Sequence, residues 1–78
     1  MKNSLKYQDS PLYFMTAREA ATIEREGDFE RAAKVWAKAH RQARNAMNQD
    51  WSAKRQDFCL MHHMRLARQL SAAQMEDA

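Results

Sequence analysis

Apolar residues along this chain recur at helical spacing in three consecutive stretches, which predicts three α-helices. The first helix is expected over residues 11–26, the second over about 29–46 and the third over about 50–73. The chain has one glycine and one proline, and it is rich in helix formers such as Ala, Arg, Gln and Glu. The pattern therefore predicts an all-α, three-helix domain.

Residues at the helix ends predict a tight corner between the first two helices. Ser10 followed by Pro11 is typical of a helix start, with serine as the N-cap and proline in the first turn. Gly27 falls where the first helical pattern breaks, and glycine can adopt the positive φ that ends a helix. Asp28 can then cap the second helix. A corner this short predicts an antiparallel helical hairpin.

The third helix is expected to begin near Trp51, with Asn48 or Asp50 as its cap, and to lay one apolar stripe on the hairpin. The residues of that stripe are Trp51, Phe58, His62, Leu66 and Leu70, with Cys59 beside them. The residues expected to carry the packing of the whole domain are Ala20, Ala21, Gly27, Phe29, Ala32, Trp36, Trp51 and Phe58.

The second half of the third helix carries more apolar surface than the shorter hairpin can cover. Its five large apolar residues are Leu60, Met61, Met64, Leu66 and Leu70. About 24 residues span roughly 36 Å, against roughly 24 Å for the first helix. Symmetric pairing is the commonest use of one such patch, so we expect a homodimer with Met61, Met64 and Leu66 at its seam. The alternative is that this apolar surface stays open in the free protein as a binding site for another protein.

Length, hydropathy and net charge limit the classes of protein to which this chain can belong. The chain has 78 residues, which predicts one domain over residues 10–73, a flexible arm at 1–9 and a frayed end at 74–78. No apolar run approaches a membrane span, and the N-terminus lacks a signal-peptide core, so a cytoplasmic protein without membrane contact is expected. The net charge of +3 is weaker than most dedicated DNA-binding domains carry, which argues against specific DNA binding.

Four basic residues are spaced to form a ridge on the outer side of the second helix. They are Arg31, Lys34, Lys38 and Arg41, spaced three, four and three residues apart. One interpretation is an ordinary solvated face. The other is a dock for an acidic protein surface or for phosphate, and these four residues are the predicted partner-binding set.

Few residues could carry chemistry. Cys59, His62 and His63 have the spacing of ligands on one helical turn, and His40 could complete a zinc site. His62 lies on the apolar stripe, however, and apolar neighbours raise rather than lower a thiol pKa. We therefore expect no catalytic residue, no metal, no cofactor and no enzymatic activity. Glu24 lies on the apolar side of the first helix, where a hydrogen bond or ion pair across the hairpin is expected.

Two segments resemble known families. The residues Gly27, Asp28, Phe29, Ala32, Trp36 and Ala39 resemble the middle of one tetratricopeptide-type repeat. The longer segment 17–59 contains AREAA, an ExxG corner, AAKVWxKA, a polar Asn-Gln-Asp-Trp turn and the ending Asp-Phe-Cys. In these features it resembles the ANR family, small bacterial negative regulators of AraC-type transcription activators.

That resemblance implies a repressor of virulence genes that binds an AraC-type activator directly. It would keep the activator from working by blocking its self-association or its hold on DNA. In the alternative to a homodimer, the open apolar surface of the third helix is the binding site for this activator. Some members also engage nucleoid-structuring proteins, so a nucleoid-associated protein is a further implied partner. The resemblance supplies no catalytic residues. Its matched positions are structural, namely Ala20, Ala21, Gly27, Ala32, Trp36 and Phe58.

The competing hypothesis is a small regulator that binds DNA or a nucleoid protein through the basic ridge. A helix-turn-helix recognition helix presents polar base-reading residues near its N-terminus. The second helix instead begins with Phe29 and Glu30, and its basic residues follow later. This order favours contact with a protein over direct reading of DNA.

Overall fold

The computed structural model describes residues 9–77, with side chains as far as residue 74. Three helices follow one another: α1 is Pro11–Arg25, α2 is Phe29–Gln42 and α3 is Ala46–Asp77. The all-α, three-helix fold is therefore confirmed. Of the predicted N-terminal arm, residues 1–8 lie outside the described residues, as does Ala78 at the other end.

The corner between α1 and α2 forms as its residues predict. The Ser10 hydroxyl accepts a hydrogen bond from the Tyr13 amide at 3.1 Å and caps α1. Gly27 has a φ of 89°, the left-handed conformation that glycine adopts without steric cost. Its amide donates to the Glu24 carbonyl at 3.0 Å, which closes the end of α1. The Asp28 carboxylate accepts from the Arg31 amide at 3.2 Å and caps α2.

The connection between α2 and α3 comes earlier in the chain than expected. Ala43 is extended, with a ψ of 132°, and α2 therefore ends at Gln42 and not near residue 46. The side-chain oxygen of Asn45 accepts from the amides of Met47 at 2.8 Å and Asn48 at 3.3 Å. Asn45 is thus the cap of α3, in place of the predicted Asn48 or Asp50. At its other end α3 remains helical to Asp77, through most of the segment expected to fray.

The core lies where α1 and α3 both pack against α2. It is built mainly of alanines, which let the helices approach closely, and of two aromatic side chains that fill the remaining space. The buried residues are Tyr13, Ala20, Ile23, Ala32, Ala33, Trp36, Ala39, Ala43 and Cys59. The predicted packing residues Ala21 and Phe29 lie half-buried at its edge.

The side of α3 that faces the hairpin is small and polar, which corrects the predicted aromatic stripe. Ser52 and Cys59 are fully buried, whereas Trp51 is 53% exposed and Phe58 is 40% exposed. Both aromatic rings lie against the Arg55 guanidinium, whose carbon is 5.6 Å from the Trp51 ring centre and 4.3 Å from that of Phe58. Trp51 and Phe58 therefore cover a cation at the edge of the domain.

Small residues face the hairpin because large side chains from the hairpin already fill the space. Tyr13 and Trp36 are both buried. The Ser52 hydroxyl donates to the Tyr13 hydroxyl oxygen at 3.4 Å, so α1 reaches α3 through a long side chain. Only a short side chain fits opposite such a ring, and this determines the rotation of α3 about its axis.

The C-terminal part of α3 projects beyond the hairpin, as expected. The helix has 32 residues and is about 48 Å long. Near the start of α2, His62 is stacked on Phe29 with ring centres 4.7 Å apart, and His63 Nε2 is 3.8 Å from a Glu30 oxygen. Residues 64–74 are all exposed, and we call residues 64–77 the overhang. None of the helices described here is both long and apolar enough to cross a membrane.

Candidate protein-interaction surfaces

The basic ridge of α2 lies on the side of that helix away from the core. Arg31, Lys34, Lys38 and Arg41 are all exposed, and they extend over about 15 Å of helix. Lys34 is 3.7 Å from a Glu30 oxygen in an exposed pair, which is a weak interaction. The other three side chains have no ion-pair partner among residues 9–74. The ridge is thus an exposed line of four cations in which only Lys34 has an ion-pair partner among residues 9–74.

The Glu24 carboxylate of α1 accepts hydrogen bonds from both other helices. A hydrogen bond between Glu24 and α2 across the hairpin was expected, whereas its bonds to α3 were not. Glu24 Oε1 accepts from the Trp36 indole of α2 at 3.0 Å. It also accepts from Arg55 Nε of α3 at 3.3 Å and from the Cys59 thiol at 3.4 Å. Arg55 donates a second bond, through Nη2, to Oε2. The charge pair is largely buried and every donor faces an acceptor, so this cluster fixes the register of α3 on the hairpin.

The environment of this cluster sets the protonation of its members. Burial raises the pKa of Glu24, but hydrogen bonds from Arg55, Trp36 and Cys59, together with the Arg55 charge, outweigh it and lower the pKa. Burial and the adjacent Glu24 carboxylate raise the pKa of the Cys59 thiol to about 12. Cys59 is therefore a packed thiol that donates a hydrogen bond, and it lacks the lowered pKa that a nucleophile requires.

Asp9 ties the start of the described chain to the α2–α3 connection. Its carboxylate accepts from the amides of Ser10 at 2.7 Å, Arg44 at 2.9 Å and Asn45 at 3.0 Å. It also accepts from the side-chain amide of Asn48 at 3.0 Å. Partial burial raises the pKa of Asp9, but these four hydrogen bonds outweigh that effect and lower the pKa to about 2. Asp9 thus belongs to the folded domain and not to the predicted arm.

Asp9→Asn should lower stability near neutral pH, and the loss should shrink in acid. The ordinary pKa of 3.8 falls to about 2 on folding, so the ionised carboxylate stabilises the fold above pH 4. That contribution disappears as the pH falls from about 4 to about 2. Urea unfolding at pH 6 should show a loss on the order of 1 kcal/mol. Asp57→Asn, at an exposed aspartate, is the matched control. An equal loss for Asp9→Asn at pH 6 and pH 2.5 would contradict this role.

The residues considered for a metal site point to separate partners. His62 is stacked against Phe29, and His63 approaches Glu30. His40 Nδ1 donates to the Gln49 carbonyl at 2.8 Å, on another part of the domain. Within the described residues, no three His, Cys, Asp or Glu side chains are grouped to hold a metal ion.

The five residues predicted for a dimer interface are all exposed, but α3 places them on different sides. Successive residues of a helix are turned by about 100°, so residues seven and eleven apart share a side. Leu66 and Leu70 therefore follow the buried Cys59 along the hairpin-facing side. Met61, two residues beyond Cys59, lies on the opposite side, with Met64 near it. Leu60 lies between these two sides. A single seam cannot include all five.

Sequence reasoning missed Asp9, Ser52 and Asn45 as structural residues. Asp9 acts on amides 35 and 36 residues away, and no local pattern reports such a contact. Asn45 could have been found, because asparagine is a good N-cap and a helical pattern can begin at Ala46. Comparisons of the chain with protein-family models, with curated proteins and with solved structures found no match.

Proposed function

We propose that this protein is a negative regulator of transcription that binds an AraC-type activator by direct contact. Two things support the proposal: the resemblance of residues 17–59 to the ANR family, and the exposed basic ridge. The ridge is the observation that carries it, because a line of exposed cations, of which three have no ion-pair partner among residues 9–74, fits an acidic protein surface. Bound there, the protein would block the activator's self-association or its hold on DNA.

Self-association through the overhang is the second part of the proposal. Ser52, Cys59, Leu66 and Ala73 are spaced by seven residues and so lie on one side of α3. The first two are buried by the hairpin, and the last two are exposed only because the hairpin has ended. A second copy of α3 can cover Leu66, Leu70 and Ala73 in the same way. The proposed seam therefore continues the domain's own packing side, and a symmetric dimer results.

Reversing two charges on the ridge should weaken capture of the activator without unfolding the domain. Lys34 and Lys38 are exposed, and exposed single charges contribute little to stability. Lys34→Glu with Lys38→Glu should leave the thermal melt nearly unchanged. Titration of purified activator should show affinity reduced about tenfold at low salt, with a smaller difference at high salt.

The matched control is Arg18→Glu with Lys54→Glu, which makes the same change in net charge on α1 and α3. It should bind the activator as the parent protein does. If both double variants bind equally well, or lose affinity equally, the ridge is only a solvated face. Sequence-specific retardation of DNA by the purified protein alone, at moderate salt, would instead favour the DNA-binding alternative.

A further inference from the structure

Two methionines and two arginines share the side of α3 that is turned away from the hairpin. Met61, Met64, Arg65 and Arg68 are spaced i, i+3, i+4 and i+7, and they line a shallow groove of about 270 Å³. Met61 is 62% exposed and Met64 is 56% exposed. Neither arginine has an ion-pair or hydrogen-bond partner among residues 9–74. We call these four residues the Met–Arg face.

A second groove with similar residues differs from the Met–Arg face in its balance of charge. Between α1 and the start of α2, Met15, Arg18 and Arg31 line a groove of about 530 Å³. Glu19 and Glu26 line that groove as well, so its charges are balanced. Among the side chains that the structure describes, no carboxylate lines the groove of the Met–Arg face. It therefore combines adaptable apolar contact with uncompensated positive charge.

The exposed methionines and unpaired arginines of this face indicate which kind of partner fits it. A second copy of this chain would bring Arg65 and Arg68 against the same two arginines, and like charges disfavour that pairing. Nucleic acid would satisfy the arginines but would present mainly phosphate and sugar to the two exposed thioethers. An amphipathic helix with carboxylates beside its apolar stripe satisfies both groups. Because residues 64–74 are exposed on all sides, such a helix can lie along α3 without meeting the hairpin.

We propose that the Met–Arg face is a docking surface for an acidic amphipathic helix of another protein. The methionine side chains take up the partner's apolar stripe, and Arg65 and Arg68 pair with its flanking carboxylates. This surface lies on the opposite side of α3 from the proposed dimer seam. It is also separate from the basic ridge of α2. The proposal therefore stands whether or not the protein binds an AraC-type activator through the ridge.

The test uses the full-length protein with ¹³C-labelled methionine methyl groups and a synthetic helical peptide of about 18 residues. The peptide carries leucines on one stripe and glutamates on both flanks, and its control carries lysines in place of the glutamates. Addition of the glutamate peptide should move the Met61 and Met64 methyl signals in a saturable way. The Met15 and Met47 signals, elsewhere on the surface, should stay in place. The lysine peptide should move none of them.

Arg65→Glu with Arg68→Glu should weaken binding of the glutamate peptide by tenfold or more, with unchanged helix content by circular dichroism. The milder Arg68→Gln should weaken it less, and Arg18→Glu with Lys54→Glu should leave it unchanged. Several results would overturn the proposal: equal binding of both peptides, equal shifts at Met15, or full binding by the Arg65/Arg68 variant. Binding to anionic lipid vesicles without binding to the glutamate peptide would overturn it as well.

Discussion

Glu24→Ala should cost on the order of 3 kcal/mol of unfolding free energy, the largest loss we expect from a single substitution. The substitution removes the one acceptor shared by Trp36, Arg55 and Cys59, which come from the other two helices. Arg55 would then be a largely buried cation without its counter-charge, and the Trp36 indole would lose its acceptor. α3 should be the element that loosens, because Glu24 is its main link to α1.

Urea unfolding of three comparison variants tests this role. Glu19→Ala removes an exposed glutamate from the same helix and should change stability by less than about 0.5 kcal/mol. Glu24→Gln keeps an acceptor for Trp36 and should fall between parent and Glu24→Ala. Arg55→Met in the Glu24→Ala background should recover part of the loss, because no unpaired charge remains. Equal losses for Glu24→Ala and Glu19→Ala would show that the cluster does not hold the fold.

Leu66→Glu with Leu70→Glu should abolish self-association while leaving the fold intact. Both leucines lie on the overhang, 44% and 67% exposed, and neither contributes to the core of its own chain. Burying each one across a dimer is worth about 1.5 to 3 kcal/mol at best, before the cost of association. Two carboxylates on each chain at that seam would also repel one another. The dissociation constant by sedimentation equilibrium should rise by at least a hundredfold.

Met61→Glu with Met64→Glu is the matched control for that experiment. It introduces the same charges into the same helix, but mainly on the side that carries the Met–Arg face. The dimer should survive this change. A parent protein that is monomeric at tens of micromolar would end the dimer proposal, and a dimer disrupted only by the methionine variant would move the seam to the opposite side.

The corner between α1 and α2 was predictable because its residues act locally. Ser10, Gly27 and Asp28 each have an intrinsic preference for the position they occupy, and the hydrogen bonds by which they cap or end a helix lie within five residues. Spacing along the chain also identified Ala20, Ala32 and Trp36 as core residues. Glu24 could be recognised as a carboxylate in an apolar setting, which implies a partner, although not which partner.

The docking of α3 could not be predicted from spacing, because spacing arguments give most weight to large apolar residues. Trp51 and Phe58 dominate the pattern, yet they cover Arg55 at the edge of the domain. Ser52 and Cys59 face the hairpin because Tyr13 and Glu24 reach across to them. Such fits depend on the volume left by another helix. The same holds for Asp9, because three of its four partners are more than thirty residues away.

A gel-retardation experiment with purified components tests direct repression most closely. The components are this protein, an AraC-type activator from the same cell and the activator's promoter DNA, at moderate salt. We predict that this protein alone leaves the DNA unshifted and that near-stoichiometric amounts remove the activator's shifted band. Lys34→Glu with Lys38→Glu should require about tenfold more protein for the same effect. An activator band that persists under a large excess of this protein, or a specific shift by this protein alone, would contradict the account.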